Sequence, residues 1–543
     1  MMEKVDIQRD KDEMKEGVKA LGQSFPWMGI TYAFVFIFCY TPPLWARRLV
    51  FLVSLRAQWD PTYLARDWFF SAPNSNHLVF NVVFGFWTRW VSVETLYLIG
   101  SLTSWAVIIR ALFRLGFRLG VGPMGSALAI VSWLIARQSV VAHEYILGGL
   151  EAKLVAYALL LPALEAVLDK RWKRGALLVG LSFSFHPAVG MWGGLATGAA
   201  FAWDRRSLSP ILLFGVIALL ASFPGMYPLL RDVFSKTEST ADARFLATVL
   251  FPMHLDPRTW PARDHLTLWL LFAFNILHAY ARKDDRALRF FAVFQSTLAL
   301  AFVLGLIARR LEIWGFIRFM PFRLFPVFAL LLFFFQVMRA AHECLAAAHE
   351  KRPLFQAMAL SAFLALSALP NLPASGMDHA RLNMATWTRS PDDLQKLFSW
   401  VRTHLPTDAI VIAPPWRQDA PYLMERAQVA TFEIYAHDRP REWRSRVELL
   451  LGTDWSGLTT SDWTRRKTAL SKAYDRLDDD RIQEARDRYG AGYLISRRDH
   501  PYDEVHREGA WRIYALPPPA RPEHGGDAAH RHEGHLREGT SER

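Results

Sequence analysis

Apolar residues fill most of this chain in long stretches broken by short polar segments, and that pattern sets the first expectations about its fold. Leu212–Leu220, Ala292–Ala308 and Leu324–Val337 are nearly uncharged and rich in Leu, Phe, Val and Ala. A bilayer crossing takes about 20 mostly apolar residues, a length these runs reach with their flanks. Lipid offers no partner to an unpaired peptide group, so repeated crossings must be helices or a closed barrel. The runs lack the alternation of barrel strands, which selects helices. Predicted spans cover 25–43, 93–112, 125–142, 150–168, 175–187, 188–203, 208–230, 266–281, 289–308, 321–338 and 353–371. The segment 175–203 is too long for one crossing. Pro187, after His186, removes a backbone donor and crowds the preceding turn, so a break is expected there.

The pattern changes after Pro370. A helix is predicted from Pro391 to Leu405, with Leu394, Leu397, Val401 and Leu405 on one face. Ile410–Ala413 and Val429–Phe432 read as short strands, Pro440–Leu451 as a helix, and Ser461–Arg488 as two helices separated by a cap at Asp478–Asp480. Gly492–Ser496 and Trp511–Leu516 complete the strands. Alternating helices and strands indicate a small α/β domain. The expected fold class is therefore a membrane all-α multi-pass bundle of about 10–11 transmembrane helices, followed by a soluble C-terminal α/β domain. Its expected divisions are a cytosolic N-terminal tail at 1–24, a polytopic region at 25–373 with large outer loops at 44–92 and 231–265, an extracytoplasmic domain at 374–516, and a disordered His-rich tail at 517–543. Met1–Gln23 carries charges of both signs and lacks the basic start and cleavage site of a signal peptide.

Composition agrees with a mixed protein. A hydrophobic fraction of 52% is high for a soluble chain yet diluted for a pure transporter. The net charge of +12 raises the question of nucleic acid, but the basic residues sit in short clusters between apolar runs, so no nucleic-acid partner is expected. They sort by side. Arg110, Arg114 and Arg118 share a face with Lys170, Arg171, Lys173, Arg174, Arg205, Arg206, Arg282, Lys283, Arg286, Arg289, Arg339, Lys351 and Arg352, which should be the cytoplasm. Arg47, Arg48, Arg309, Arg310 and Arg318 fall on the other face, an excess that points to an anionic ligand there. Cys39 and Cys344 form no disulfide framework.

Charges in or beside a membrane are costly, which makes them candidates for function. The outer face collects Asp60 and Asp67 from the first loop, then His143, Glu144, Glu151 and Lys153, then His186 at the helix break. The 231–265 loop adds Asp232, Glu238, Asp242, His254, Asp256, Asp264 and His265, and the last outer stretch adds Glu312, Arg318 and Arg323. Plainer roles stand beside each. Asp60 before Pro61 suits a turn, and Asp67 beside Arg66 a loop ion pair. Glu151 and Lys153 lie about 200° apart around a helix, so either could sit singly at the interface. His186 could be a satisfied kink residue, and Arg323 a snorkelling arginine instead of a phosphate grip. There is no Walker loop, dinucleotide Gly fingerprint, HExxH or GxSxG, and the tail histidines His524, His530, His532 and His535 lack a metal-site scaffold.

Several of these residues fall in recognisable patterns: Trp59-Asp60-Pro61-Thr62-Tyr63 with Arg66-Asp67, Gly149 through Tyr157, Phe185-His186-Pro187-Ala188-Val189-Gly190, Trp400-Val401-Arg402, Ala413-Pro414-Pro415-Trp416-Arg417 and Glu442-Trp443-Arg444-Ser445-Arg446. With many spans, a large first outer loop and an outer C-terminal domain, the chain resembles the GT-C superfamily of polytopic membrane glycosyltransferases, most nearly a bacterial group of relatives. The resemblance implies transfer of a sugar from a polyprenyl-phosphate donor on the extracytoplasmic side of the inner membrane. It implies Asp67 or Asp60 as the catalytic base, Glu151, Lys153 and His186 lining the substrate site, and Arg323 gripping the lipid phosphate. Partners would be the lipid-linked sugar and membrane lipids. Asp60 and Asp67 are seven residues apart, not a DxD pair, so no metal ligands are assigned and the need for a divalent cation is left open, as is the oligomeric state. Two other readings stand beside this one: a non-enzymatic envelope protein on such a scaffold, and a transporter or flippase.

Overall fold

A computed structural model describes residues 22, 24–43, 49–71, 77–205, 207–234, 239–346, 372–432, 439–460 and 462–518. The expected span at 353–371 and nearly all of both terminal tails lie outside the described residues. Each of the other ten expected spans falls on a helix: Ser24–Cys39, Val93–Arg118, Pro123–Ile135, Ala152–Leu168, Trp172–Phe185, Pro187–Asp204, Leu208–Phe234, Ala262–Ala281, Arg286–Arg310 and Leu324–Ala346. Four helices among the described residues have both the length and the hydropathy to cross a bilayer: those beginning at Val93, Leu208, Arg286 and Leu324. The others are shorter or more polar. Trp172–Phe185 and Pro187–Asp204 are separate because His186 leaves helical geometry and Pro187 begins the next helix at its first position.

The outside of this bundle is apolar. Along Leu208–Phe234, Leu212, Val216, Leu219, Leu220 and Phe223 all face outward, Leu220 being 70% exposed. Leu266, Leu270 and Leu277 do the same on Ala262–Ala281, and Leu300, Leu304 and Ile307 on Arg286–Arg310. A water-soluble monomer rarely shows so wide an apolar surface, whereas lipid favours it. In the C-terminal region from Asp393 onward, Val505 is the one large apolar side chain left exposed among the described residues.

Polar groups gather at the two ends of the bundle. At one end, ion pairs tie the helices together: Arg114 to Glu165 at 3.0 Å, Arg286 to Asp204 at 2.7 Å and Arg339 to Asp285 at 2.6 Å. At the other end sits the C-terminal domain. Its five-stranded sheet has the order β2-β1-β3-β5-β4, with β1 Ile410–Ile412, β2 Ala427–Gln428, β3 Tyr493–Ser496, β4 Asp503–Glu508 and β5 Trp511–Ala515. The first three are parallel, and β5 and β4 form an antiparallel hairpin. Helix Asp393–His404 opens the domain with a reciprocal cap between Asp392 and Gln395 and buries Leu394, Leu397 and Val401. The strand expected at Val429–Phe432 is instead two residues earlier. Val429 still donates to the Val411 carbonyl, but Phe432 turns away to bond Pro415. The edge strand β4, Asp503–Glu508, is polar and escaped the apolar pattern; Gly509, with φ +58°, makes the turn into β5.

The domain docks on the long loops through several contacts. Arg466, 1% exposed, donates to the carbonyls of Val249 and Leu250 at 2.8 and 2.9 Å. Phe245 packs edge-on against Trp443 and Trp455. Arg56 reaches Glu425 at 3.1 Å, Tyr422 bonds Glu94, and Arg446 lies 4.8 Å over the Trp68 ring. One hydrophobic core runs from the bundle into the domain.

Candidate functional site

The site begins with a strained loop. Between helices Pro123–Ile135 and Ala152–Leu168, four non-glycine residues adopt left-handed backbone: Arg137, Gln138, Ala142 and His143. Such conformations cost roughly 1–3 kcal/mol each and persist only when their surroundings enforce them. The enforcement is visible. Gln138 accepts from the amides of Ile146 and Leu147 at 2.9 and 2.8 Å and donates to the Leu147 carbonyl at 2.8 Å. Trp133 and Trp105 donate to the carbonyls of Gln138 and Gly148, and His254 holds the Ala142 carbonyl at 2.6 Å. Gly149 lies against Tyr97, where a Cβ would come within 2.1 Å of the phenol oxygen.

This loop drives Glu144 into the protein, its side chain wholly buried. Lys153 Nζ lies 3.1 Å from one carboxylate oxygen and Arg323 Nε 3.5 Å from the other, while the Tyr157 hydroxyl is 3.5 Å from the first. Lys153 also sits 3.9 Å from Glu151 and 3.5 Å over the Tyr145 ring. Glu151 occupies the N-cap position of Ala152–Leu168 without capping it by its side chain, so its carboxylate is directed to Lys153. Two carboxylates and two cations thus form a closed, nearly dry network. Burying even one unpaired charge of this kind would be prohibitive.

Arg323 has a second neighbour. His186 Nδ1 accepts the Val189 amide at 3.3 Å, which leaves the other ring nitrogen, Nε2, to carry the proton in the neutral ring. Arg323 Nη1 is 3.4 Å from that Nε2. Two donors therefore point at the same space, beside the N-terminus of helix Pro187–Asp204. An oxygen set to one side of the pair could receive both, and the helix dipole favours a negative one. His77 lies near, its ring centre 5.8 Å from that of His186 and tilted 37° to it.

Of the six residues expected from sequence, Glu151, Lys153, His186 and Arg323 come together. Asp60 and Asp67 make their contacts elsewhere. Asp60 caps a turn, accepting from the Thr62 hydroxyl at 2.5 Å and from the amides of Thr62 and Tyr63, and the Thr62 hydroxyl holds its carboxyl below the usual range. Asp67 is 1% exposed. One of its oxygens accepts the Phe69 and Phe70 amides at 2.9 and 3.0 Å, the other the Gln428 amide of β2 at 3.0 Å. Burial pushes its carboxyl up against the pull of those three amides. Asp67 is thus a clasp between the first loop and the C-terminal sheet. Arg309, counted among the outer-face cations, pairs with buried Asp256 at 3.0 Å. Sequence reasoning had Glu144 only as one charge among several. The signal available was its place, flanked by His143 and a Gly-Gly pair, in a loop between two apolar runs.

A divalent cation does not fit this donor set. Both carboxylates already face cations, and no three His, Cys, Asp or Glu side chains converge among the described residues.

No protein-family model matches the chain, and no curated protein does. Among solved structures, one similar chain is an oligosaccharyltransferase. It is the Archaeoglobus fulgidus enzyme, crystallised with an acceptor peptide containing the NVT sequon tethered by a disulfide bond. The match has 12% identity and a TM-score of 0.48, over 87% of this chain and 69% of that one. At that distance no residue role is transferred from it.

The clasp is testable by Asp67→Asn. The amide would set an NH₂ group against the Gln428 amide, two donors face to face, at a cost of about 1–3 kcal/mol. Limited proteolysis in detergent should then cut between the bundle and the C-terminal domain faster than in the wild type. An unchanged digestion pattern would mean that Asp67 does not hold the domain.

Proposed function

We propose that the chain is a GT-C-type membrane glycosyltransferase, moving a sugar from a polyprenyl-phosphate donor to an acceptor on the extracytoplasmic side of a bacterial inner membrane. The observation that carries this reading is the buried Glu144–Lys153–Arg323 network, whose arginine lies against the His186 ring at Nε2.

The chemistry follows from the donors. A phosphate oxygen of the lipid-linked sugar enters between Arg323 and His186 and takes hydrogen bonds from both. Arg323 suits this because its planar fork binds phosphate through two parallel bonds. Lys153 neutralises the remaining charge. As the phosphate draws Arg323 away, Glu144 loses one of its two cations and becomes basic enough to accept the proton of an acceptor hydroxyl. That oxygen then attacks the anomeric carbon, the bond from this carbon to the phosphate oxygen breaks, and polyprenyl phosphate departs with the electron pair. Glu151 keeps Lys153 in position throughout.

The base was expected at Asp67 or Asp60. We assign it to Glu144 instead, because Asp67 spends three backbone hydrogen bonds on joining the first loop to the sheet, Asp60 is committed to its turn, and Glu144 faces the cations that a phosphate would draw on. The partners are the lipid-linked sugar and surrounding lipids. The experiment is transfer of radiolabelled sugar from a panel of polyprenyl-phosphate donors by the purified protein. Turnover supports the assignment; a silent panel with intact, folded protein rejects it.

A further inference from the structure

A polar groove shares none of its lining residues with the buried network. It occupies about 500 Å³ between helices Pro440–Leu451 and Asp479–Tyr489 of the C-terminal domain and the short Thr240–Phe245 helix of the outer loop. Four arginines from two helices line it, Arg441, Arg444, Arg481 and Arg488, against three carboxylates. Those carboxylates are occupied. Glu448 takes Arg444 at 2.8 Å, Glu484 takes Arg488 at 3.3 Å, and Asp242 closes the capping box with Ser239 at 2.7 Å. Four guanidinium groups against three carboxylates leave the described lining with one net positive charge. Arg481 is anchored by its Nε to the Leu449 carbonyl at 2.7 Å. Arg444 is steadied by the Phe245 ring, 5.1 Å away.

We propose that this groove binds a phosphate-bearing ligand, with Arg481 and Arg441 as its principal contacts. Arg481 is already fixed by its bond to Leu449, so its guanidinium loses little freedom on meeting an anion. Arginine forks match phosphate geometry bidentately. The cavity is larger than one phosphate and falls within the range of small-molecule sites, so the phosphate belongs to a larger molecule: a soluble phosphate ester or a phospholipid headgroup. Because its walls come from both the outer loop and the C-terminal domain, occupancy would tighten their docking. The inference does not depend on the sugar-transfer reading.

The test follows the thermal unfolding midpoint of the full chain by tryptophan fluorescence, titrating inorganic phosphate at constant ionic strength. A saturable rise is expected, absent with acetate. Arg441→Gln should weaken the apparent affinity about tenfold, the loss of one charge-assisted hydrogen bond. Glu448→Gln, which adds no bulk, should strengthen binding by freeing Arg444, and so guards against a variant that merely misfolds. Repeating the titration in nanodiscs separates the sources. A phosphate response suppressed by phosphatidylglycerol but not by phosphatidylcholine supports a headgroup ligand; a response equal in both supports a soluble ester. An equal response to acetate, or one untouched by both substitutions, overturns the proposal.

Discussion

Arg323→Gln should destabilise the protein by about 3 kcal/mol, the lower end of what breaking a buried ion pair costs. Glu144 has no solvent to turn to once that cation is gone, because its side chain is wholly buried. Lys153 remains on its other oxygen at 3.1 Å, which is why the loss is not larger. The double variant Arg323→Gln, Glu144→Gln removes the orphaned charge together with its partner. It should recover most of the lost stability, since a neutral pair of similar shape costs little in a dry site. Unfolding midpoints of the wild type, both single variants and the double variant in detergent give the coupling directly. A double variant as unstable as Arg323→Gln alone would mean that the two side chains do not interact as described.

Glu144→Gln alone should cost stability as Arg323→Gln does, since it leaves Arg323 without its carboxylate, and should act on chemistry beyond that. The glutamine keeps an oxygen for Lys153 and Tyr157 but cannot take a proton. Positioned general bases contribute about 10²–10⁴-fold, so transfer should fall by at least two orders of magnitude while the protein remains folded. Asp67→Asn should lower transfer by less than tenfold, and only through weaker docking. The opposite ranking, with Asp67→Asn inactive and Glu144→Gln near wild type, would return the base to the first loop.

The sequence made the bundle legible because its apolar runs are long, so each expected span within the described residues meets a helix. The sheet was harder to read. β2 is only two residues long, and β4, with Asp503, Glu504 and Arg507, has the polarity of an edge strand facing solvent. Among the candidate residues, Glu151, Lys153, His186 and Arg323, which stood out as charges or breaks in apolar surroundings, are the ones the fold brings together. What an aspartate touches in the fold depends on what lies opposite it. For Asp67 that is the amide of Gln428, 361 positions along the chain, a partner no local pattern reveals. Glu144 owes its centrality to left-handed residues at Ala142 and His143, which carry no glycine to announce them.

The central claim is that the buried network and the docked C-terminal domain share the non-cytoplasmic face. Cysteine accessibility tests it most directly, in a background with Cys39 and Cys344 replaced by serine. Asp408 has a side chain 70% exposed on the C-terminal domain, and Lys173 is exposed at the opposite end of the bundle. A membrane-impermeant maleimide should label Asp408→Cys in intact cells and Lys173→Cys only after permeabilisation. Labelling of Lys173→Cys but not Asp408→Cys in intact cells would put the network on the cytosolic side and contradict the account.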